Sequence, residues 1–130
     1  MIVVDSSVLV AALLSDQDFG EWAARAVADK QLGAPSVAAF ESANIIRRHA
    51  AAGLVPARLA EAAHRDLALL TVEYWPYHAV AARCWELRHN LTIYDASFVA
   101  MAEATRSPLY TLDQRLAAAT GPTCEFITPG

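Results

Sequence analysis

The first fourteen residues, MIVVDSSVLVAALL (1–14), decide how the chain is read. Positions 1–4 form an apolar run without alternation, closed by Asp5. Such a run suits a strand buried on both faces, the kind found in a parallel sheet. SSVLVAALL (6–14) then reads as a helix, with Ser6 or Ser7 as the expected N-cap. Strand followed by helix opens a βα unit, and Asp5 stands at the joint.

The alternation continues along the chain. DFGEWAARAVADK (18–30) reads as a second helix, capped by Asp16 or Asp18. LGAP (32–35) is a short strand or its exit. SVAAFESANIIRRHAAAG (36–53) is a strong helix, opened by Ser36 and ended by Gly53. PARLAEAAHRDLALL (56–70) is another, with Pro56 suited to its first turn. TVEYW (71–75) alternates like a strand and is rich in β-favouring residues. PYHAVAARCWELRHN (76–90) and YDASFVAMAEATR (94–106) read as helices starting near Pro76 and Asp95. PLYTL (108–112) is an apolar strand, DQRLAAAT (113–120) a short helix and CEFIT (124–128) a last strand. Strands separated by helices need crossover connections. The expected fold is therefore α/β: one domain over 1–130, a parallel sheet flanked by helices on both faces.

Composition narrows the function classes. Of 130 residues, 55% are hydrophobic, enough for a packed core and against disorder. The net charge of −4 gives no global basic field to announce a nucleic-acid partner. Nine of the ten basic residues are Arg, whose planar fork suits phosphate better than Lys does. Cys84 and Cys124 lie in no metal-binding spacing and read as free structural thiols of a reducing compartment. The N-terminus has no basic leader and no apolar run approaches a membrane span, so the expectation is a cytoplasmic protein without a membrane segment.

In a parallel sheet flanked by helices, ligands sit outside the carboxyl ends of the strands. Asp5 follows the first strand and Asp113 follows PLYTL, so both fall there. Asp95 opens a helix. Glu41 lies beside the apolar face expected from Val37, Phe40 and Ile45. Each acid has an ordinary reading: Asp95 and Asp113 as helix caps, Glu41 paired with Arg47 or Arg48. Asp5 has the fewest such alternatives. Were the four to share a pocket, two charges about 4 Å apart would cost roughly 4 kcal/mol at an effective dielectric of about 20. A cation or protonation would have to relieve that. Oxygen ligands without His or Cys favour Mg²⁺ or Mn²⁺ over Zn²⁺, and such sites serve phosphoryl chemistry.

The local contexts are more specific than the acids. VVDSSVLVAALL (3–14), FESANIIRRH (40–49), LTIYDASFVAMAE (91–103) and LYTLDQRL (109–116) together resemble the PIN-domain ribonucleases, most of all the VapC-type toxins of toxin–antitoxin pairs. The resemblance runs from residue 1 to about 127. It implies that Asp5, Glu41, Asp95 and Asp113 are catalytic and bind Mg²⁺ or Mn²⁺, and that the substrate is RNA. It implies a supporting hydroxyl at Ser7 and another at Thr111, a homodimer, and a cognate antitoxin. Ser6 stands where the family often has Thr.

Asn44, three residues after Glu41, is a candidate to orient that carboxylate. Arg47, Arg48, Arg88 and Arg115 are candidates for phosphate contacts around an otherwise acidic pocket. Each also reads as an ordinary surface residue. At Asp95 the helix dipole is expected to lower the carboxyl pKa. Other classes fit less well. A haloacid-dehalogenase-type phosphatase wants a second Asp at position 7, which is Ser; a receiver domain wants a late Lys, and Lys30 is the sole lysine. No P-loop or GxGxxG is present. A catalytically silent PIN-like binding module, or another Mg²⁺-dependent phosphohydrolase, remains the alternative.

Overall fold

A computed structural model describes residues 1–15 and 18–130. Five parallel strands form one sheet in the order β3-β2-β1-β4-β5. They are β1 (Ile2–Val4), β2 (Leu32–Pro35), β3 (Val72–Trp75), β4 (Leu109–Tyr110) and β5 (Phe126–Ile127). The helices are α1 (Ser6–Leu13), α2 (Gly20–Val27), α3 (Val37–Ala51), α4 (Ala57–Leu69), α5 (Ala81–Glu86), α6 (Ile93–Thr105) and α7 (Gln114–Ala117). The expected class holds. Ile2, Val3 and Val4 point alternately to opposite faces and all are buried, so β1 is covered on both sides.

The strand order sets the position of the site. From β1 the chain builds outward through β2 and β3, then returns to lay β4 on the other flank of β1. The direction of winding reverses between β1 and β4, and a crevice opens beyond their carboxyl ends. Val3 pairs with Leu109 and Val4 with Tyr110. The next residues along, Asp5 and Thr111, therefore emerge side by side. Helix α6 enters β4 from above, so its N-terminus overhangs the same edge. Gly33 lets α6 lie close on the sheet: a Cβ there would meet the Met101 Cε at 2.9 Å.

Packing divides into two clusters. The larger joins the sheet to α1, α5 and α6 through residues such as Leu9, Cys84, Val99, Met101 and Leu109. The smaller joins α1, α3 and α4 through Val10, Leu14, Ile46, Val55, Ala63 and Leu67. Both cysteines are free, as expected.

Several local expectations change. Asp5, not Ser6 or Ser7, caps α1: its backbone is extended and its side chain accepts from the Val8 N–H. At α2 the cap position is Phe19, with φ 60° and no side-chain cap, so Asp18 does not cap it. The expectation for Asp16 lies outside the described residues. The Ser36 side chain opens α3 without capping it and donates to the Trp75 carbonyl instead. The expected helix over 76–90 is a 3₁₀ turn (Tyr77–Ala79) followed by α5. Val80 separates them, its backbone at φ −120° and its side chain buried in the core. On α3 the buried face is Ala38, Ser42 and Ile46, and Phe40 is 77% exposed. Small residues let the helix backbone approach its neighbours; Val37 and Ile45 pack half-buried against the two clusters as expected, and only Phe40 faces away.

Candidate active site

Asp5 is the most constrained of the four acids. It is 7% exposed at the end of β1. Its Oδ1 accepts from Ser7 Oγ at 2.5 Å and from the Val8 N–H at 3.1 Å. Its Oδ2 accepts from Thr111 Oγ1. Thr111, fully buried, in turn accepts from the Asp113 N–H at 2.9 Å, and Ser7 Oγ accepts from the Leu112 N–H at 3.2 Å. Two hydroxyls thus tie the ends of β1 and β4 together around one carboxylate. Ser7 and Thr111 both serve Asp5, whereas the resemblance implied for Thr111 only a supporting hydroxyl ahead of the last acid.

Burial drives the Asp5 pKa upward against the pull of these three donors, and the charge of Asp95 adds to the rise. The Asp95 pKa is also raised, first by burial and then by Asp113, against a lowering influence from Arg115 and Thr92. This reverses the expectation that the helix dipole would lower it. Asp5 therefore feels Asp95, and Asp95 feels Asp113, as a like charge. Glu41 joins by a different route: Ser6 Oγ donates to its Oε1 at 2.8 Å. The first turn of α1 consequently touches two of the four acids, Asp5 through Ser7 and Glu41 through Ser6.

Asp95 is not the cap of its helix. Thr92 is, accepting from the Asp95 N–H at 3.1 Å. Asp95 occupies the third helical position; only the Thr92 half of a capping box is formed, and among the described residues no backbone N–H holds the Asp95 carboxylate. The Thr-x-x-Asp spacing of 92–95 carried this signal in the sequence. Asp113 does cap α7, its Oδ1 accepting from the Arg115 and Leu116 N–H groups.

The remaining candidates are distributed around the molecule. Arg115 reaches the site: its Nε lies 4.0 Å from Asp113 Oδ1. Asn44 accepts from Arg47 Nε at 2.9 Å, so both are engaged with each other on the exposed side of α3 rather than with Glu41. Arg48 is exposed on the same helix. Arg88 donates to the Trp85 carbonyl at 2.6 Å and stacks 4.6 Å from the Trp85 ring. Glu103, also on α6, is taken up by Arg83 at 2.7 Å and the Thr123 N–H at 2.7 Å. Sequence reasoning missed the Ser6–Glu41 contact, because Ser6 read as a cap.

The donor set suits a hard divalent ion, being all oxygen, and its mutual repulsion is what such an ion would relieve. It is not a preformed cage: among the described residues no three acidic, His or Cys side chains are drawn together closely enough to hold one.

An open parallel sheet with acids at its switch point defines a class, and comparison with known proteins places the chain within it. Residues 2–122 match the family model described as PIN domain. The chain belongs to the PIN-domain family. Within it, the chain is similar to proteins named VapC ribonucleases. Ribonuclease VapC9 of Mycobacterium tuberculosis is 39% identical over 116 residues, covering 89% of this chain and 88% of that protein. Ribonuclease VapC3 of Pyrobaculum aerophilum is 37% identical over 128 residues, covering 89% and 92%. Among solved structures, a toxin–antitoxin complex from Klebsiella pneumoniae superposes with TM-score 0.71 at 19% identity, over 100% of this chain and 98% of that one. The sarcin–ricin-loop-cleaving toxin VapC20 of M. tuberculosis superposes with TM-score 0.69 at 22% identity, over 91% and 94%. At those identities the likeness is one of fold. Among the described residues no helix is long and apolar enough to cross a membrane.

Proposed function

We propose that the chain is a metal-dependent endoribonuclease toxin acting through Asp5, Glu41, Asp95 and Asp113, and restrained by a cognate antitoxin. The observation that carries this reading is the placement of Asp5 and Asp113 beyond the carboxyl ends of the paired strands β1 and β4, tied to each other through Thr111, with Asp95 near enough for its charge to act on Asp5. Like charges held together at a switch point are costly without a ligand. The ribonuclease names of the relatives supply the substrate class.

Asp5, Asp95, Glu41 and Asp113 would hold Mg²⁺ or Mn²⁺, which supplies charge neutralisation at the scissile phosphate and a more acidic water. The protein's part is orientation and proton transfer. Ser7, Val8 and Thr111 lock the Asp5 carboxylate and leave one lone pair of Oδ2 free. Ser6 holds Oε1 of Glu41, leaving Oε2 as an acceptor. Glu41 or Asp113 takes a proton from the attacking water as its oxygen bonds to phosphorus. The bond from phosphorus to the 3′ oxygen breaks, that oxygen is protonated from solvent, and the products carry a 5′-phosphate and a 3′-hydroxyl. Arg115 at the rim contacts the phosphate backbone, with Arg47, Arg48 and Arg88 as outer contacts. The working form is a homodimer in the cytoplasm, and the toxin–antitoxin neighbour supports an antitoxin partner.

The test is chelation, readdition of Mg²⁺ or Mn²⁺, and incubation with RNA for the wild type and Asp95→Asn. Metal-restored cleavage by the wild type alone is expected. Equal RNA degradation by both proteins overturns the proposal. A catalytically silent binding module predicts no metal-restored cleavage at all.

A further inference from the structure

Beside the acids lies a pocket of about 190 Å³ with a different character. Its floor is the end of the β2–β3 pair, where Pro35 stands level with Trp75, together with the buried Val80. Its walls are Trp75, Tyr77 and Tyr94, and Ile93, Ser36, Val37 and Ser97 complete it. No charged side chain lines it. Ile93, Tyr94 and Ser97 belong to the same helical turns as Asp95, and Val37 is one turn before Glu41. The pocket therefore lies at the same carboxyl edge of the sheet as Asp5, on the β2–β3 side of β1.

Two tyrosines there present much of their surface to solvent. Tyr77 is 55% and Tyr94 60% exposed. Both serine hydroxyls at the pocket are held by main-chain carbonyls: Ser36 donates to Trp75 at 3.0 Å and Ser97 to Tyr94 at 2.6 Å. Each hydroxyl oxygen keeps lone pairs to accept from a ligand N–H. A pocket without charge does not recruit phosphate. Flat aromatic faces with a few hydroxyl acceptors suit a nucleobase, since every base offers a π-face and stacking is worth most in a single strand.

We infer that the pocket walled by Trp75, Tyr77 and Tyr94 seats one unstacked nucleobase of a single-stranded RNA next to the phosphate held at the acids. The inference rests on the ribonuclease reading for its substrate class. The pocket fixes which phosphodiester bond enters the crevice, by anchoring a neighbouring base. Tyr77 and Tyr94 are positioning residues; they hold substrate and take no part in proton transfer.

The experiment uses the full chain and a fluorescent single-stranded oligoribonucleotide, with abasic substitutions introduced one position at a time. Binding is read by anisotropy in EDTA, and cleavage with Mn²⁺. Tyr94→Ala and Tyr77→Ala are each expected to weaken binding at least about fivefold, and to raise KM with little change in kcat. Tyr94→Phe should bind as the wild type does. One abasic position should weaken wild-type binding by a similar factor and Tyr94→Ala no further. Unchanged binding by the Ala variants overturns the inference, as does an abasic penalty equal in wild type and variants at every position, or no RNA binding by the wild type. A change in oligomeric state in the Tyr variants without a change in RNA affinity assigns the pocket to a protein contact and also overturns it. Cleavage unaffected by the Tyr variants defeats the pocket and leaves the nuclease standing. Base-dependent binding without cleavage under any metal defeats the nuclease and leaves the pocket standing.

Discussion

Thr111→Val tests the part of the site most completely specified by geometry. Thr111 is fully buried, and its hydroxyl does two things: it donates to Asp5 Oδ2 and accepts from the Asp113 N–H at 2.9 Å. Valine has nearly the same shape, so the substitution removes the hydroxyl without opening a cavity. A hydrogen bond to a charged group contributes about 1.5–3 kcal/mol, and the part-buried Asp113 N–H left without its acceptor costs about 1 kcal/mol, the low end of the range for a buried donor. Part of each is recovered by relaxation, so the expected loss is about 3 kcal/mol. That is a large share of the roughly 5–15 kcal/mol that stabilises a typical domain. Urea denaturation monitored by circular dichroism reads it directly, and Thr111→Ser, which keeps the hydroxyl, should recover most of it.

The pH dependence sharpens the same test. Thr111 favours the ionised form of Asp5, so its removal raises further a pKa already raised by burial. Its extra contribution is present where Asp5 is ionised. It fades as pH falls through the folded pKa towards the 3.8 of a free aspartate. The Thr111→Val penalty should therefore be larger at alkaline than at acidic pH. A penalty below about 1 kcal/mol, the scale of one ordinary hydrogen bond, or one independent of pH, would refute the reasoning.

Other perturbations have defined outcomes. Asp5 and Asp95 have pKa values raised in the folded state, so the folded protein binds more protons than the unfolded chain. Their contribution to the metal-free protein therefore falls as pH rises from 3.8 through the folded values. Asp95→Asn should flatten that slope in thermal melts in EDTA, and should abolish the rise in Tm that Mn²⁺ gives the wild type. Ser6→Ala releases Glu41 Oε1; with Glu41 partly open to water, the stability loss should be about 1 kcal/mol while kcat falls, and Ser6→Thr should restore both. Arg115→Ala should reduce the slope of log binding against log salt by about 0.7, the value of one phosphate contact on a single strand; an unchanged slope removes Arg115 from the RNA interface.

Much of the fold was legible because hydrophobic burial leaves a periodic trace. The unbroken apolar run of β1 and the helix after it announced a parallel sheet, and every expected strand is present. The local failures share one cause. Tertiary contact, which a linear pattern does not contain, decided Phe40 against the buried face of α3, Val80 against a continuous helix, and Asp5 over Ser6 and Ser7 as a cap. The acids were legible as single residues at strand ends and helix starts. Whether they share a pocket was left open by the residues themselves and was implied only by the family resemblance.

The sequence by itself determined that strand and helix alternate, that Asp5 and Asp113 follow strands, and that Thr92 and Asp95 stand in capping-box spacing. Those features depend on residues near one another in the chain. Only the tertiary structure decided that β4 lies against β1 in a register that sets Thr111 beside Asp5. It also decided that Ser6 reaches Glu41 across 35 positions, and that Trp75, Tyr77 and Tyr94 enclose one pocket. The physical reason is that pairing between distant strands is chosen by the joint burial of all their faces, a property of no single segment.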